Sequence, residues 1–298
     1  MTSQRSGDLY ALACGVVCGL GNIPAKVAVA NISVELYNLY FFIFGFIFSN
    51  YVWFNKKDRE EIKSVDARTL GLIFILAIIF ALALYLFIVA LKLIEPATVS
   101  FLSRVEVIIT VILAYMILKE KLKFVELVGG LIALGGILIL KYKTNITISY
   151  AAGLMILSSL FFSIAEVIIK KNIHRLGTGR FLFYRNLFMI GIMFAILLVS
   201  GHSMYLPPAK TLWLILAAAI LLPVLGRLTY MEALKRINIS RAALVTQATP
   251  LFTAFFAFMI LSTYPTLIEW LGGALIIGGV VVIQLSAVRK KKTRINTA

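Results

Sequence analysis

Charged residues are scarce in this chain: they make up 14% of its 298 residues, against about 25% in an average soluble domain. Apolar residues make up 61%, and the mean hydropathy is +0.98. A soluble globular protein of this length needs a polar shell that such a composition does not supply. An ordinary soluble enzyme is therefore excluded, and most of the surface must face lipid.

Cysteine and histidine are nearly absent, since the chain holds only Cys14, Cys18, His174 and His202. The two cysteines lie four residues apart on one apolar run, so they form neither a disulfide framework nor a clustered thiol metal site. The sequence contains no HExxH motif, no Ser/His/Asp constellation and no nucleotide-binding P-loop. We therefore predict no enzymatic activity, no catalytic residues, no metal site, no cofactor and no direct ATP hydrolysis.

Acidic residues are the minority among the charges: the chain has 13 Asp and Glu but 29 Lys and Arg, which gives a net charge of +16. In a soluble protein this excess would indicate nucleic-acid binding. Here the basic residues concentrate in short connections between apolar runs, where the positive-inside rule explains them better. We therefore expect the lipid bilayer as a partner and no nucleic acid.

Long apolar runs are what the sequence has in abundance. A membrane-spanning helix needs about 20 mostly apolar residues, and ten such runs occur, each bounded by charges, Pro or Asn. The chain is therefore predicted to be an all-α integral membrane protein. The predicted spans are 9–30, 34–54, 69–91, 97–118, 122–140, 151–172, 179–199, 211–234, 240–261 and 266–287.

Alternate connections differ strongly in basic residues. The set that contains the N-terminus and the C-terminal tail holds 21 Lys and Arg, whereas the opposite set holds 4. Basic connections stay in the cytoplasm, so we predict a multi-pass protein of the cell (inner or plasma) membrane with both termini cytoplasmic.

An internal repeat relates the two halves of the chain. At an offset of 143 residues, 90–140 align without a gap on 233–283, with 14 identities in 51 positions. The identities include the glycine pairs 129–130 and 135–136, which recur at 272–273 and 278–279. We predict a first five-helix repeat over 1–147, a second over 148–288 and a basic cytoplasmic tail over 289–298.

Five helices per repeat is an odd number, so the second copy enters the membrane upside down. Inverted repeats of this kind build transporters that work by alternating access, with the substrate at the interface of the two halves. The sequence thus predicts ten transmembrane helices in a 5+5 inverted-topology repeat.

Residues 113–140 and their counterparts 256–283 resemble the EamA-type branch of the drug/metabolite transporter superfamily. The turn Lys119-Glu120-Lys121-Leu122 followed by a glycine-rich helix is similar to that family's helices 4 and 5. The stretch GLGNIPAKVAV at 19–29 resembles the end of its first helix, with Lys26 at a frequent lysine position. The resemblance implies transport of small metabolites, often amino acids or related compounds, and commonly export.

Polar residues inside the spans are the candidate substrate-binding groups, since a charge in the bilayer faces a wet cavity or a partner. A rise of about 1.5 Å per residue places Asn22, Lys26, Arg104 and Glu106 in one outer layer. Arg104 and Glu106 are two residues apart, so on one helix at most one of them points straight at a cavity. Arg104 aligns with Gln247 in the repeat, and these two are the leading candidates.

A second layer near the inner edge combines Glu166, Arg185 and Arg227, which we predict to form ion pairs that gate or couple transport. Pro24 and Pro250 fall inside spans, where a helix break beside a cavity is tolerated. The glycine pairs predict close helix contacts, either within one chain or in a dimer.

The favoured function is a secondary transporter of small polar or zwitterionic metabolites, with Arg104 and Lys26 holding a carboxylate. Glu106 or Glu166 would hold an ammonium group or a coupling proton. Two alternatives on the same fold remain: a nucleotide-sugar or phosphate-ester exchanger, favoured by the intramembrane positive charge, and a flippase for lipid-linked intermediates. The sequence is compatible with a monomer or a homodimer.

Overall fold

The computed structural model describes residues 3–53, 65–118, 125, 128–132, 135–136, 139, 146–176, 178–234, 236–237, 245–246, 248–263, 265–268, 270–279 and 281–282. Throughout these parts the regular elements are helices. They are α1 (Ser3–Asn31), α2 (Val34–Trp53), α3 (Ala67–Leu93), α4 (Pro96–Leu102), α5 (Val105–Leu118), α6 (Ile146–Leu176), α7 (Thr178–Val199), α8 (Ala209–Ala219), a π-helix (Ile220–Gly226), α9 (Arg227–Leu234), α10 (Thr249–Leu261) and α11 (Trp270–Gly279).

Four helical stretches are long and apolar enough to cross a membrane: Arg5–Asn31, Ala67–Leu93, Ser149–Ile169 and Ala209–Tyr230. Shorter apolar helices occupy Val34–Phe48, Phe183–Val199, Thr249–Leu261 and Trp270–Gly279. Each of these eight stretches falls on a predicted span, so the all-helical membrane fold is confirmed.

The predicted span 97–118 is not one helix. It divides into α4 and α5 at a turn formed by Ser103 and Arg104. The Ser103 hydroxyl donates to the carbonyl oxygen of Ser100 at 2.8 Å, which gives the backbone a local alternative to the helical ladder. The break therefore lies beside a charged residue inside an otherwise apolar run.

Proline acts differently at its three intramembrane positions. The predicted span 211–234 contains the π-helix around Pro223, because proline lacks the N–H that an α-helical bond requires. Helix α1 runs unbroken through Pro24. Pro250 lies in the first turn of α10, where its missing N–H costs nothing, and not in the middle of a helix as the sequence predicted.

The largest helix contacts join the two halves of the chain, and they are reciprocal. Helix α1 packs against α10, while α6 packs against α5. Likewise, α1 packs against α8 and α9, and α6 packs against α3. Helices α2 and α7 pack against each other, and each also contacts the third span of the opposite half, α8 and α3 respectively.

The glycine pairs provide a contact within the chain. A Cβ atom at Gly136 would lie 2.5 Å from the carbonyl oxygen of Gly272 and 2.9 Å from the backbone nitrogen of Ile276. Only glycine allows two helix backbones to approach so closely. Gly136 and Gly272, one from each half of the repeat, therefore pack against each other within the chain.

Connections that are predicted to be cytoplasmic contact each other. The Arg175 guanidinium at the end of α6 donates to the Asp66 carboxylate at 2.7 Å, and Asp66 caps the start of α3. The Arg236 guanidinium after α9 lies 4.6 Å from the ring centre of Tyr10 near the N-terminus. Both pairs join segments that the basic-residue count assigns to the same side of the membrane.

Candidate functional site

A cavity of about 190 Å³ lies between α1, α3, the α4–α5 turn, α6 and α10. Its wall combines one cation, one carboxyl group, an amide, a thiol and five hydroxyl groups with three large apolar side chains. The lining residues are Cys18, Asn22, Phe87, Ser100, Ser103, Arg104, Glu106, Met155, Ser158, Ser159, Phe162 and Thr249. Charged groups are rare inside a membrane-spanning bundle.

Arg104 and Glu106 both line this cavity. The expectation that at most one of them points there is wrong, because it assumed one continuous helix and the chain turns at Ser103 and Arg104. One terminal nitrogen of Arg104 donates to the Ser103 hydroxyl at 3.1 Å, while the buried Nε has no hydrogen-bond partner among the described residues. The guanidinium thus retains donor capacity for a bound molecule.

Asn22 joins three helices at the edge of the cavity. Its side-chain amide donates to the Ser100 hydroxyl at 3.2 Å and, more weakly, to the Thr253 hydroxyl at 3.5 Å. Ser100 in turn donates to Thr253 at 2.9 Å, and Thr253 donates to the carbonyl oxygen of Thr249 at 3.1 Å. These buried bonds hold α1, α4 and α10 together where the cavity begins.

A counterpart of this network occurs in the other half. Thr110, which aligns with Thr253 at the offset of 143 residues, donates to the Ser163 hydroxyl at 2.9 Å. Ser163 donates to the carbonyl oxygen of Glu106 at 2.9 Å. Helix α6 is therefore joined to α5 by hydroxyl groups, as α1 is joined to α10.

Lys26 lies apart from the residues predicted to accompany it. Its ammonium group donates to the carbonyl oxygens of Lys92 at 3.1 Å and Ile94 at 2.7 Å, at the end of α3. Lysine near a helix C-terminus satisfies carbonyl groups that lack helical partners. The expected outer layer of Asn22, Lys26, Arg104 and Glu106 is therefore divided, since three of these line the cavity and Lys26 does not.

Of the four remaining candidate residues, the structure describes the side-chain contacts of only Arg185. Gln247 lies outside the described residues, and the side chains of Glu166 and Arg227 do as well. The Arg185 guanidinium donates to the Asn186 side-chain oxygen at 3.0 and 3.3 Å. It also lies over the rings of Phe80 and Phe181, at 5.3 and 5.6 Å from their centres.

Sequence reasoning missed the small polar residues of the site. Ser100, Ser158 and Ser159 line the cavity and are buried, with 0–3% of each residue exposed. Serine is tolerated in apolar helices because its hydroxyl can bond to the preceding turn, so it does not stand out in a hydropathy profile. The available signal was the grouping of Ser158 and Ser159 in one predicted span.

A second, larger cavity of about 390 Å³ lies at the opposite end of the bundle from Asp66. There the Tyr85 hydroxyl donates to the buried Glu35 carboxylate at 2.7 Å, and His202 Nδ1 lies 3.6 Å from the same carboxylate. The Lys92 ammonium donates to the carbonyl oxygen of Ile32 at 2.9 Å. Its lining residues are Ala30, Asn31, Ile32, Ser33, Lys92, His202, Ser203 and Tyr205.

A polar cavity enclosed by apolar helices defines a membrane transporter as the class of protein. The profile of the EamA-like transporter family matches residues 5–142 and again residues 149–285. The chain therefore belongs to the EamA-like transporter family of the drug/metabolite transporter superfamily, and carries two EamA domains. It is a multi-pass membrane protein.

Two further comparisons concern a curated relative and a solved structure. An uncharacterised transporter of Synechocystis sp. is 23% identical over 218 residues, which cover 69% of this chain and 62% of that protein. The chain thus spans less than two thirds of the length of this curated relative. A crystal structure matches with a TM-score of 0.64 and 17% identity over 96% of this chain and 99% of the other, which shows a shared fold.

Proposed function

We propose that this protein is a secondary transporter that moves small polar or zwitterionic metabolites, such as amino acids or related compounds, out of the cell by alternating access. The observation that carries the proposal is the central cavity in which Arg104, Glu106 and Asn22 meet. Charged groups inside a membrane are costly and are retained where they contact a substrate or an ion.

The two charges suit a zwitterion. The Arg104 Nε has no hydrogen-bond partner in the part of the chain that the structure describes, so the guanidinium can donate to a carboxylate. The Glu106 carboxyl group, two residues further on, can accept an ammonium group or carry a coupling proton. Gln247, the repeat counterpart of Arg104, completes the proposed substrate-binding set with Asn22.

The size of the cavity favours small cargo. Its volume of about 190 Å³ lies below the range of about 300–1,000 Å³ that drug-sized ligands occupy. A nucleotide sugar is larger than such a ligand and would need a substantially wider state. The volume therefore ranks a compact metabolite ahead of the phosphate-ester exchanger.

Reciprocal packing supports ten spans in a 5+5 inverted repeat, with repeats over 1–147 and 148–288. Helix α1 of the first half contacts α10 of the second half. Helix α6, the counterpart of α1, contacts α5, the counterpart of α10. This is the contact pattern of two similar units related by a two-fold axis. With five spans in each unit the axis lies in the membrane plane, as alternating access requires.

We infer the orientation from the distribution of the basic residues. We place both termini and the basic tail 289–298 in the cytoplasm, which puts the Asp66–Arg175 pair inside and the His202 loop outside. Glu166, Arg185 and Arg227 would then lie toward the cytoplasmic end, where we propose that they gate or couple transport. Exchanging the charges of Glu166 and Arg227 should restore transport that either single reversal abolishes.

A ligand-stabilisation screen tests the proposed cargo. Purified protein is heated in the presence of amino acids, sugars, phosphate esters or lipid-linked sugars, because a bound ligand raises the melting temperature of the folded state. We expect a concentration-dependent rise with amino acids or related zwitterions, and its loss in Arg104→Gln. Arg68→Gln, an exposed arginine outside the cavity, should keep the full rise.

Other outcomes of the screen decide against the proposal. A rise confined to phosphate esters would establish the exchanger, and a rise only with lipid-linked sugars would establish the flippase. A rise with amino acids that survives Arg104→Gln unchanged would place the substrate elsewhere.

A further inference from the structure

The only two cysteines of the chain lie side by side on α1, and one of them lines the central cavity. The sulfur atoms of Cys14 and Cys18 lie 3.9 Å apart, one helical turn from each other on α1. Neither cysteine forms a disulfide, and Cys18 lines the cavity. We propose that the pair is a dithiol site that binds one thiophilic cation of the Cu(I) type between its two sulfurs.

The sulfur separation suits a shared ion. An ion held by two thiolates alone prefers them on opposite sides, and two metal–thiolate bonds of about 2.3 Å then place the sulfur atoms about 4.6 Å apart. The observed 3.9 Å therefore requires the sulfur atoms to separate by about 0.7 Å, which rotation of the two side chains on α1 can supply. The spacing of four residues did not predict this site, because two thiols are too few for a structural zinc centre but suffice for a soft ion that prefers sulfur.

The surroundings compensate the charge of the complex. Binding converts two thiols and Cu⁺ into a bis-thiolate complex of charge −1 and releases two protons, with no change in the oxidation state of copper or sulfur. The Arg104 guanidinium lines the same cavity as Cys18. A nearby guanidinium stabilises the negative charge that the complex acquires.

Packing holds Cys18 in place for this role. A Cβ atom at Gly226, the last residue of the π-helix, would lie 2.7 Å from the Cys18 sulfur. The sulfur is thus confined by the second half of the chain on one side and faces the cavity on the other. Occupancy of the dithiol would place an ion in the cavity wall beside Arg104, independently of which metabolite the protein transports.

Titration of purified full-length protein with Cu(I), under anaerobic reducing conditions and against a chromogenic Cu(I) chelator, tests the site. We expect one Cu(I) per wild-type chain and at least about 100-fold weaker binding in both Cys14→Ser and Cys18→Ser, since removing a direct ligand costs at least as much as removing an outer-shell partner. Arg104→Gln should weaken binding, whereas Arg104→Lys should restore most of it.

A measurement on the wild type avoids dependence on the folding of the variants. Bound Cu(I) should protect both cysteines from alkylation by N-ethylmaleimide, as read by mass spectrometry of the intact chain. Wild-type protein that binds no Cu(I), cysteines that react equally with and without it, or serine variants that bind as tightly as the wild type would each refute the site. None of these outcomes bears on the proposed metabolite transport.

Discussion

Thr253 occupies a central place among the buried polar side chains. It accepts hydrogen bonds from Ser100 and Asn22 and donates to the carbonyl oxygen of Thr249, and none of its surface is exposed. The bilayer offers no water as a substitute partner. Removing this hydroxyl therefore leaves two donors without their acceptor, which costs more than the bonds themselves contribute.

Thr253→Val should accordingly lower the free energy of unfolding by about 1–2 kcal/mol. The matched control is Thr263→Val, because the buried Thr263 hydroxyl has no hydrogen-bond partner among the described residues. This control should leave stability unchanged or slightly raised. Thermal unfolding of both variants in the same detergent makes the comparison, and equal losses in the two would contradict the importance of the Asn22 network.

Asp66 shows how a charged residue contributes at the membrane surface. Hydrogen bonds from Thr69 and the Arg175 guanidinium hold the pKa of the Asp66 carboxyl group well below its ordinary value. A carboxyl group with a depressed folded-state pKa adds stability at pH values above its unfolded pKa of about 3.9. That contribution is lost as the pH falls through the lower folded-state pKa.

Asp66→Asn should therefore lower the melting temperature by a few degrees at pH 7, and the gap to the wild type should shrink as the pH falls from 4 toward 2. Arg175→Gln removes the same ion pair, so the double variant should lose less than the sum of the single variants. A gap that stays constant down to pH 2, or strictly additive losses, would mean that the pair contributes nothing.

The helical elements were largely predictable from the sequence because their signal is simple. A run of about 20 apolar residues in a membrane protein has hardly any alternative to a helix. The breaks in these helices were harder to predict, because each depends on a few local hydrogen bonds that compete with the helical ones. Pro24 predicted a break that does not occur, Pro250 lies in the first turn of a helix that begins inside its predicted span, and Ser103 redirects the chain with a single hydroxyl.

The candidate site was also predictable only in part. Asn22, Arg104 and Glu106 were identifiable because a polar group within an apolar run is conspicuous, and the structure brings them to one cavity. The position of Lys26 could not be predicted, because its long side chain reaches the end of α3 and depth along the helix does not show which way it turns.

The glycine contact between the fifth and tenth spans allows a sharp test. Gly136→Ala places a Cβ atom 2.5 Å from the Gly272 carbonyl oxygen, which is backbone and cannot rotate away. We expect a loss of about 1–3 kcal/mol, the usual cost of overpacking. Gly135→Ala is the control, because a Cβ atom there meets nothing within 4 Å. It should be neutral in thermal unfolding, and equal behaviour of the two variants would argue against this helix contact.

The whole molecule combines a symmetry of packing with an asymmetry of charge. The two halves make equivalent contacts with each other. The basic residues are distributed unequally, with 21 in one set of alternate connections and 4 in the other. Sequence duplication accounts for the symmetry, and the retention of basic connections in the cytoplasm accounts for the asymmetry. Together they predict that Arg68 and the loop that carries His202 lie on opposite sides of the membrane.

Cysteine labelling tests this requirement in a background of Cys14→Ser and Cys18→Ser, which removes every native thiol. Ser203→Cys and Arg68→Cys place single thiols on exposed residues in the two connections. In intact cells, a membrane-impermeant maleimide should label Ser203→Cys at once and Arg68→Cys only after permeabilisation. The reverse result would invert the orientation while preserving the inverted repeat. Labelling of both from outside would show that the connections share one side, and the reciprocal packing of the halves would then have no relation to alternating access.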